Sequence, residues 1–286
     1  LKYLSLGLST YKSDWNKKGF VSSLEDENTR VQLLSYFSND SDKADIIKGL
    51  SDEVLKIGCL DLLKSEESVK KVVLSLRDEQ DRFKYLERIK DDSIKVEIIS
   101  TFTSQELLVS SLEQVKSSYN KRKVISKITD EKTIIGLFKY LDDYDKSEFV
   151  GKFSTEELKC ESLQYFNSDY YKTSIIKTFT DFKYIEDGIK LLKEDWNKVE
   201  IIKLVSEDKD KVSLLQYIES ESSKVNIICE LKDDSSKIGF IDSIKDSSNI
   251  AKVISSFGDD NTKLDYIDRI QYEWDKVSIV SSITDE

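Results

Sequence analysis

The chain has 286 residues, 35% of them charged and 38% hydrophobic, and its 44 basic and 55 acidic side chains leave a net charge of −11. That balance supplies enough apolar surface for a folded core. It excludes a general binder of nucleic acid or anionic membrane, because the phosphate term has the wrong sign. Histidine, proline and methionine are absent, which removes the commonest general base and the commonest metal ligand. A chain that starts at Leu1 with no methionine is expected to be a fragment of a longer array or a processed product.

One short element recurs along the whole chain. Aligned on the residue that opens its apolar part, it falls at Lys17, Arg30, Lys43, Lys56, Val69, Arg82, Lys95, Leu108, Lys121 and Ile134. It resumes at Lys146, Lys159, Lys172, Ile185, Lys198, Lys211, Lys224, Lys237, Ile250, Lys263 and Lys276. The step is 13 residues, except for 12 between Ile134 and Lys146, and Lys or Arg anchors 16 of the 21 repeats. A degenerate repeat precedes them around Leu4 to Tyr11. With the anchor as position zero, +4 and +7 are apolar in all 21 repeats, and +3 fails only at Ser111, Ser162 and Gly188. Spacing of 3, 4 and 7 is one face of a helix. Four residues before the anchor stands Asp, Ser, Asn or Thr in 18 repeats, usually followed by an acid, as in Asp26-Glu27, Asp91-Asp92 and Asp259-Asp260. This is an N-cap followed by a negative charge on the positive end of the helix dipole. Each repeat is therefore predicted to be one helix of about ten residues.

A second period lies above the first. Odd repeats carry β-branched pairs at +3 and +4, such as Ile46-Ile47, Ile98-Ile99 and Ile201-Ile202, and all three tryptophans stand two residues before an odd anchor. Even repeats place Leu at +4 and large residues at +6, among them Tyr36, Tyr140, Tyr165 and Tyr217. The true repeat is thus a 26-residue pair, helix A then helix B. Isolated ten-residue helices are marginal in water, but stacked pairs bury one continuous core. The fold expected is all-α, an α-solenoid of about 21 short helices forming one continuous domain over 1–286. The pattern resembles the superclass of helix-pair arrays that includes HEAT-like, TPR-like and leucine-rich-repeat-variant proteins. It lacks the Trp-Leu-Gly-Tyr pattern of TPR units, the Thr-Pro-Leu-His of ankyrins and the prolines of HEAT units. The missing residue after Ile134 is assigned to the Leu141–Tyr144 turn, and Ser111, Ser162 and Gly188 mark points where the core is expected to thin.

No catalytic constellation emerges. The acids cluster at helix caps, Asp142-Asp143 and Asp259-Asp260 lack the glycine and terminal glutamate of a calcium loop, and nucleophile triads need a histidine. Neither cofactor nor metal site is expected, and the chain is read as non-enzymatic. Cys59, Cys160 and Cys229 have no disulfide or zinc spacing, which favours a reducing, intracellular setting. No apolar run is long enough to span a membrane. What remains is surface, since solenoids bind through the outer face of one helix layer. Lys127 and Lys152 occupy +6, and Lys177 and Lys203 occupy +5, of consecutive A helices. Four ammonium groups are therefore expected along one side, roughly 10 Å apart. The expected function is a scaffold that docks a protein or peptide, with an acidic or phosphorylated segment fitting this strip. The alternatives are a structural element that self-associates end to end, and a support for an enzyme elsewhere in a longer parent chain. The B-layer tyrosines read either as partner contacts or as half-buried cover between adjacent helices.

Overall fold

The computed structural model describes residues 2–11 and 13–283, with side chains from Leu6 onward. The ends of the expected span, Leu1 and Glu286, and the side chain of Leu4 in the degenerate repeat lie outside this set. Two compact units result, Leu1–Leu141 and Asp142–Glu286. The first contains α1 (Lys2–Thr10), α2 (Asp14–Ser22), α3 (Glu27–Leu33), α4 (Asp40–Lys48), α5 (Glu53–Cys59), α6 (Glu66–Val73), α7 (Glu79–Lys84), α8 (Asp92–Ile99), α9 (Gln105–Ser111), α10 (Ser118–Ile125) and α11 (Glu131–Gly136). The second contains α12 (Asp143–Val150), α13 (Glu156–Ser162), α14 (Asp169–Ile176), α15 (Phe182–Lys190), α16 (Asp195–Leu204), α17 (Asp208–Leu214), α18 (Glu221–Ile228), α19 (Asp234–Ile241), α20 (Ser247–Ser255), α21 (Asp260–Tyr266) and α22 (Glu273–Val280). No strand occurs among the described residues. The chain is all-α, and the degenerate first repeat supplies α1.

Helix starts obey the period. The N-caps run from Ser13 through Asp26, Asn39 and Asp52 to Asp246, Asp259 and Tyr272, each four residues before its anchor. Asp26, Asp52, Asp130, Asp142 and Asp233 are among those whose side chains accept the orphan N–H groups of the first turn. The single 12-residue step, Asp130 to Asp142, falls at the boundary between the two units. Where a B helix ends in a 3-10 turn, two residues separate that turn from the next cap, as Phe37 and Ser38 do; here only Leu141 does. The deletion is thus absorbed just before the cap.

Helix ends differ from the expectation in one respect. Position +7 is not part of a helical face but is the extended residue that ends the helix. In every repeat its N–H donates to the carbonyl of +4, as in Phe37 to Leu34 (3.1 Å), Phe102 to Ile99 (3.0 Å) and Ile218 to Leu215 (3.2 Å). That short i→i+3 bond tightens the last turn. The backbone then becomes extended, with φ −104° and ψ 128° at Phe37 and φ −92° and ψ 132° at Ile218. The +7 side chain turns back into the core, where Phe37, Leu50, Phe102, Leu192 and Ile218 are buried. Because the helix stops this way, no described residue needs a positive φ. Neither a C-terminal glycine nor a proline is required.

Within each unit a helix packs on its neighbour in the chain and on the helix two along. In the first unit α2 packs on α4, α4 on α6, α6 on α8 and α8 on α10; in the second, α12 packs on α14 and so on to α22. Ile46, Ile47, Ile98, Ile99, Ile201 and Ile202 from the A layer and Leu34, Leu60, Leu86 and Leu112 from the B layer are almost wholly buried. Each such side chain contributes about 1.5–3 kcal/mol. The small +3 residues do not thin the core, contrary to expectation. Ser111 and Ser162 are fully buried, with their hydroxyls donating to the carbonyls of Leu108 and Lys159. A Cβ on Gly188 would lie 2.7 Å from Cγ1 of Ile176. At Gly188 the neighbouring helix fills the space that a side chain would need.

The acid after each cap does more than complement the helix dipole. Its carboxylate accepts the N–H groups of the cap, and usually of the residue before it, two helices along. Asp92 holds Lys116 (2.8 Å) and Ser117 (2.7 Å), and Asp195 holds Glu219 (2.9 Å) and Ser220 (2.7 Å). Glu27, Asp40, Glu66, Asp143, Asp169, Asp208, Glu221 and Asp234 act in the same way. Three residues after the acid, the anchor lysine buries its stem and reaches the same turn. Lys146 binds Asp143 (2.9 Å) and the Tyr165 carbonyl (2.9 Å); Lys198 binds Asp195 (3.3 Å) and the Tyr217 carbonyl (2.9 Å). Lys56, Lys172, Lys237 and Lys263 repeat the arrangement.

Burial alone would raise the Asp143 carboxyl, but the Lys146 ammonium and the N–H groups of Ser168 and Asn167 outweigh it and hold it below the ordinary value. At Asp195 the same contest goes to the Ser220 N–H, Lys198 and the Glu219 N–H. Glu53, Glu79, Glu156 and Asp169 are lowered likewise. The unfolded chain therefore binds protons more readily than the folded one in acid. The clamp contributes its stability above the unfolded carboxylate pKa and loses it as pH falls through the folded value. The melting temperature should stay level from about pH 7 to 5 and fall below about pH 4. A thermal scan in which it holds or rises toward pH 3 would contradict this.

Candidate functional site

The four sequence-predicted lysines are all exposed. Lys127 follows α10 in the first unit, where its N–H binds the Val124 carbonyl. Lys152, Lys177 and Lys203 lie at or just after the C-terminal ends of α12, α14 and α16, successive A helices of the second unit. They do not form a row of free charges. Lys177 pairs with Glu200 of α16, and Lys203 pairs with Glu230 just after α18. Each neutralising carboxylate comes from the next A helix or the residues after it. Exposed pairs of this kind contribute little to stability, but they leave Lys152 as the unpaired ammonium of the three.

The same helices carry a feature that the sequence reading missed. Two residues before the anchor, Tyr144, Tyr170 and Trp196 project from the first turns of α12, α14 and α16 and are 55%, 67% and 61% exposed. Tyr119 holds that position in α10 of the first unit. The signal was present, because the tryptophans had been placed at this position; the tyrosines belonged to the same column. The anchors beneath are fixed. Lys146, Lys172 and Lys198 are buried and bound to their clamp partners, so each aromatic stands on a rigid first turn.

Between α14 and α16 these elements enclose a cleft of about 370 Å³. Tyr170 and Trp196 line it, together with the Lys177–Glu200 pair, Thr173 and Asn197. Thr173 and Asn197 are only 4% and 1% exposed, and the Thr173 hydroxyl donates to Oδ1 of Asn197 at 3.1 Å. Nδ2 of Asn197 has no partner. A buried amide donor left unpaired costs free energy. Column mates of Asn197 are paired: Asn249 donates to Glu221 (3.0 Å), and Asp275 accepts from Ser247 (2.7 Å).

Two of the four B-layer tyrosines tie their helix to the preceding B helix. Tyr217 donates to Glu186 at 2.6 Å on the preceding B helix, and this carboxylate pushes the phenol pKa up. Tyr140 donates likewise to Glu113. Burial raises the thiols of Cys59, Cys160 and Cys229, and all three are free. Among the described residues no cluster of metal-ligating side chains occurs, and no helix is long and apolar enough to cross a membrane.

No protein-family model and no curated protein matches the chain. Among solved structures, one described as "Computational Design of Self-Assembling Cyclic Protein Homooligomers" aligns over 99% of this chain and 86% of its own, at 12% identity and a TM-score of 0.10. A likeness that slight carries no argument about this chain.

Replacing Thr173 by valine keeps the shape of the cleft floor and removes the one partner of the Asn197 amide. Chemical denaturation should show a loss of about 1–3 kcal/mol. An unchanged midpoint would mean that the amide is not held in this way.

Proposed function

We propose that the chain is a non-enzymatic scaffold of the solenoid type, which docks an extended segment of another protein on the outer face of its A helices. The observation that carries this reading is the cleft between Tyr170 and Trp196, floored by the unpaired amide of Asn197. Exposed aromatics on rigid turns are the residues that dominate protein interfaces. Beneath the cleft, the buried Nδ2 of Asn197 is a donor without a partner. One acceptor beside an apolar side chain satisfies it, as a peptide carbonyl does. With Lys177 and Lys203 neutralised by their own glutamates, the strip favours a neutral or weakly acidic segment over a multiply phosphorylated one. The net charge of −11 argues against nucleic acid and anionic membrane as partners. The three free cysteines support a reducing, intracellular setting.

The test is selection of a phage-displayed random dodecapeptide library on the whole chain, followed by titration of the enriched peptides. Asn197→Asp keeps the acceptor for Thr173 and removes the donor. The fold already carries Asp145 and Asp275 in the same column. Asn197→Asp and Trp196→Ala should each weaken binding about tenfold or more, the loss expected for a buried hydrogen bond or an aromatic anchor. Lys152→Glu should change it severalfold and reduce its salt dependence. No enrichment, or peptides indifferent to all three changes, would overturn the proposal.

A further inference from the structure

The clamp that recurs through the chain is open at Lys224, and a cavity lies there. In α18 the acid after the cap, Glu221, still holds the N–H groups of Lys245 (3.0 Å) and Asp246 (3.1 Å). It also accepts Nδ2 of Asn249 at 3.0 Å, whereas its own anchor lysine does not bind it. The Lys224 ammonium makes no hydrogen bond and no ion pair among the described residues. In the preceding A helices, Lys172 and Lys198 each bind both a carboxylate and a carbonyl.

The B helix that follows also departs from the pattern. Most B helices finish in a 3-10 turn, as α17 does at Leu215–Tyr217, but α19 runs to Ile241 without one. Around this point Val212 and Leu215 of the α17 segment, Ile228 of α18, and Phe240 and Ile244 at the end of α19 enclose a cavity of about 540 Å³, and Lys224 lines it. That volume is in the range of small-ligand sites, which are mostly apolar with a few fixed polar groups.

We propose that this cavity binds a small apolar monocarboxylate, whose carboxylate replaces at Lys224 the one that Asn249 has drawn away and whose hydrocarbon body lies against Val212, Leu215, Ile228, Phe240 and Ile244. The repeat itself indicates the missing group: a carboxylate oxygen completes the ammonium in six other clamps. The walls supply the apolar complement. Glu219, Glu221, Lys224 and Lys245 line the cavity and their charges cancel, so a ligand with one negative charge is favoured over one with two. This site is separate from the cleft at Asn197 and does not depend on the docking role.

The probe is decanoate, titrated calorimetrically into the whole chain, with decanol as the uncharged control. Decanoate should bind saturably, and decanol about tenfold more weakly, since a hydrogen bond to a charged group is lost. Lys224→Gln should weaken decanoate about tenfold while leaving decanol unchanged. Asn249→Ser should also weaken decanoate. It releases Glu221 to close the clamp, and the fold already accepts Ser68 and Ser223 in that column. Circular dichroism of both variants should match the parent. Absence of decanoate binding, equal binding of decanol, or decanoate affinity unchanged in either variant would each overturn the assignment.

Discussion

A carboxylate in the first turn of one helix, gripping the backbone N–H groups that open the helix two along, is the interaction on which the rest of the structure depends. Those N–H groups precede the first helical bond and would otherwise be left to water or to a side-chain cap. A charged acceptor makes stronger bonds to them than a neutral one. The lysine three residues further on neutralises the carboxylate and takes the last carbonyl of the intervening helix. Two side chains on one helix thus tie both backbone ends of the turn that follows the next helix. Repeated, the device forces helices of one layer into register with a period of two repeats. It also accounts for about a quarter of the acidic residues, which a search for catalytic carboxylates would misread.

Much of this was legible in the residues, and the exceptions have physical causes. The caps and the apolar pair at +3 and +4 follow from local rules, and they located the helices. Position +7 matched a helical stripe by spacing, but it is apolar because an extended residue there turns back into the core. The acid after the cap obeyed the dipole rule so well that its long-range partner, about two dozen residues away, left no trace in sequence. Gly188 read as a weak point because its reason, the approach of Ile176, belongs to another helix. The charges expected at Lys177 and Lys203 are neutralised by Glu200 and Glu230, which come from neighbouring repeats.

The places where the repeat breaks its own rules are also where chemistry is available. Asn197 differs from Asn249 and Asp275 in having an unsatisfied atom, and it lies between two exposed aromatics. Lys224 differs from Lys172 and Lys198 in having lost its carboxylate, and it lines a cavity. In an array whose scaffold is held by one recurring device, an incomplete copy leaves a polar group with unspent bonding capacity. Such a group is the natural starting point for a binding site.

The central claim is most directly tested by amide hydrogen exchange in Asp195→Ala, read residue by residue. Without the carboxylate, the N–H groups of Glu219 and Ser220 lose their acceptor, and α18 loses the tie at its first turn. Exchange should accelerate at those two amides and through the first turn of α18, while α20 and α22 keep their protection, because contacts run between neighbours. Unchanged exchange at Glu219 and Ser220, or equal acceleration across every helix of the second unit, would contradict the account.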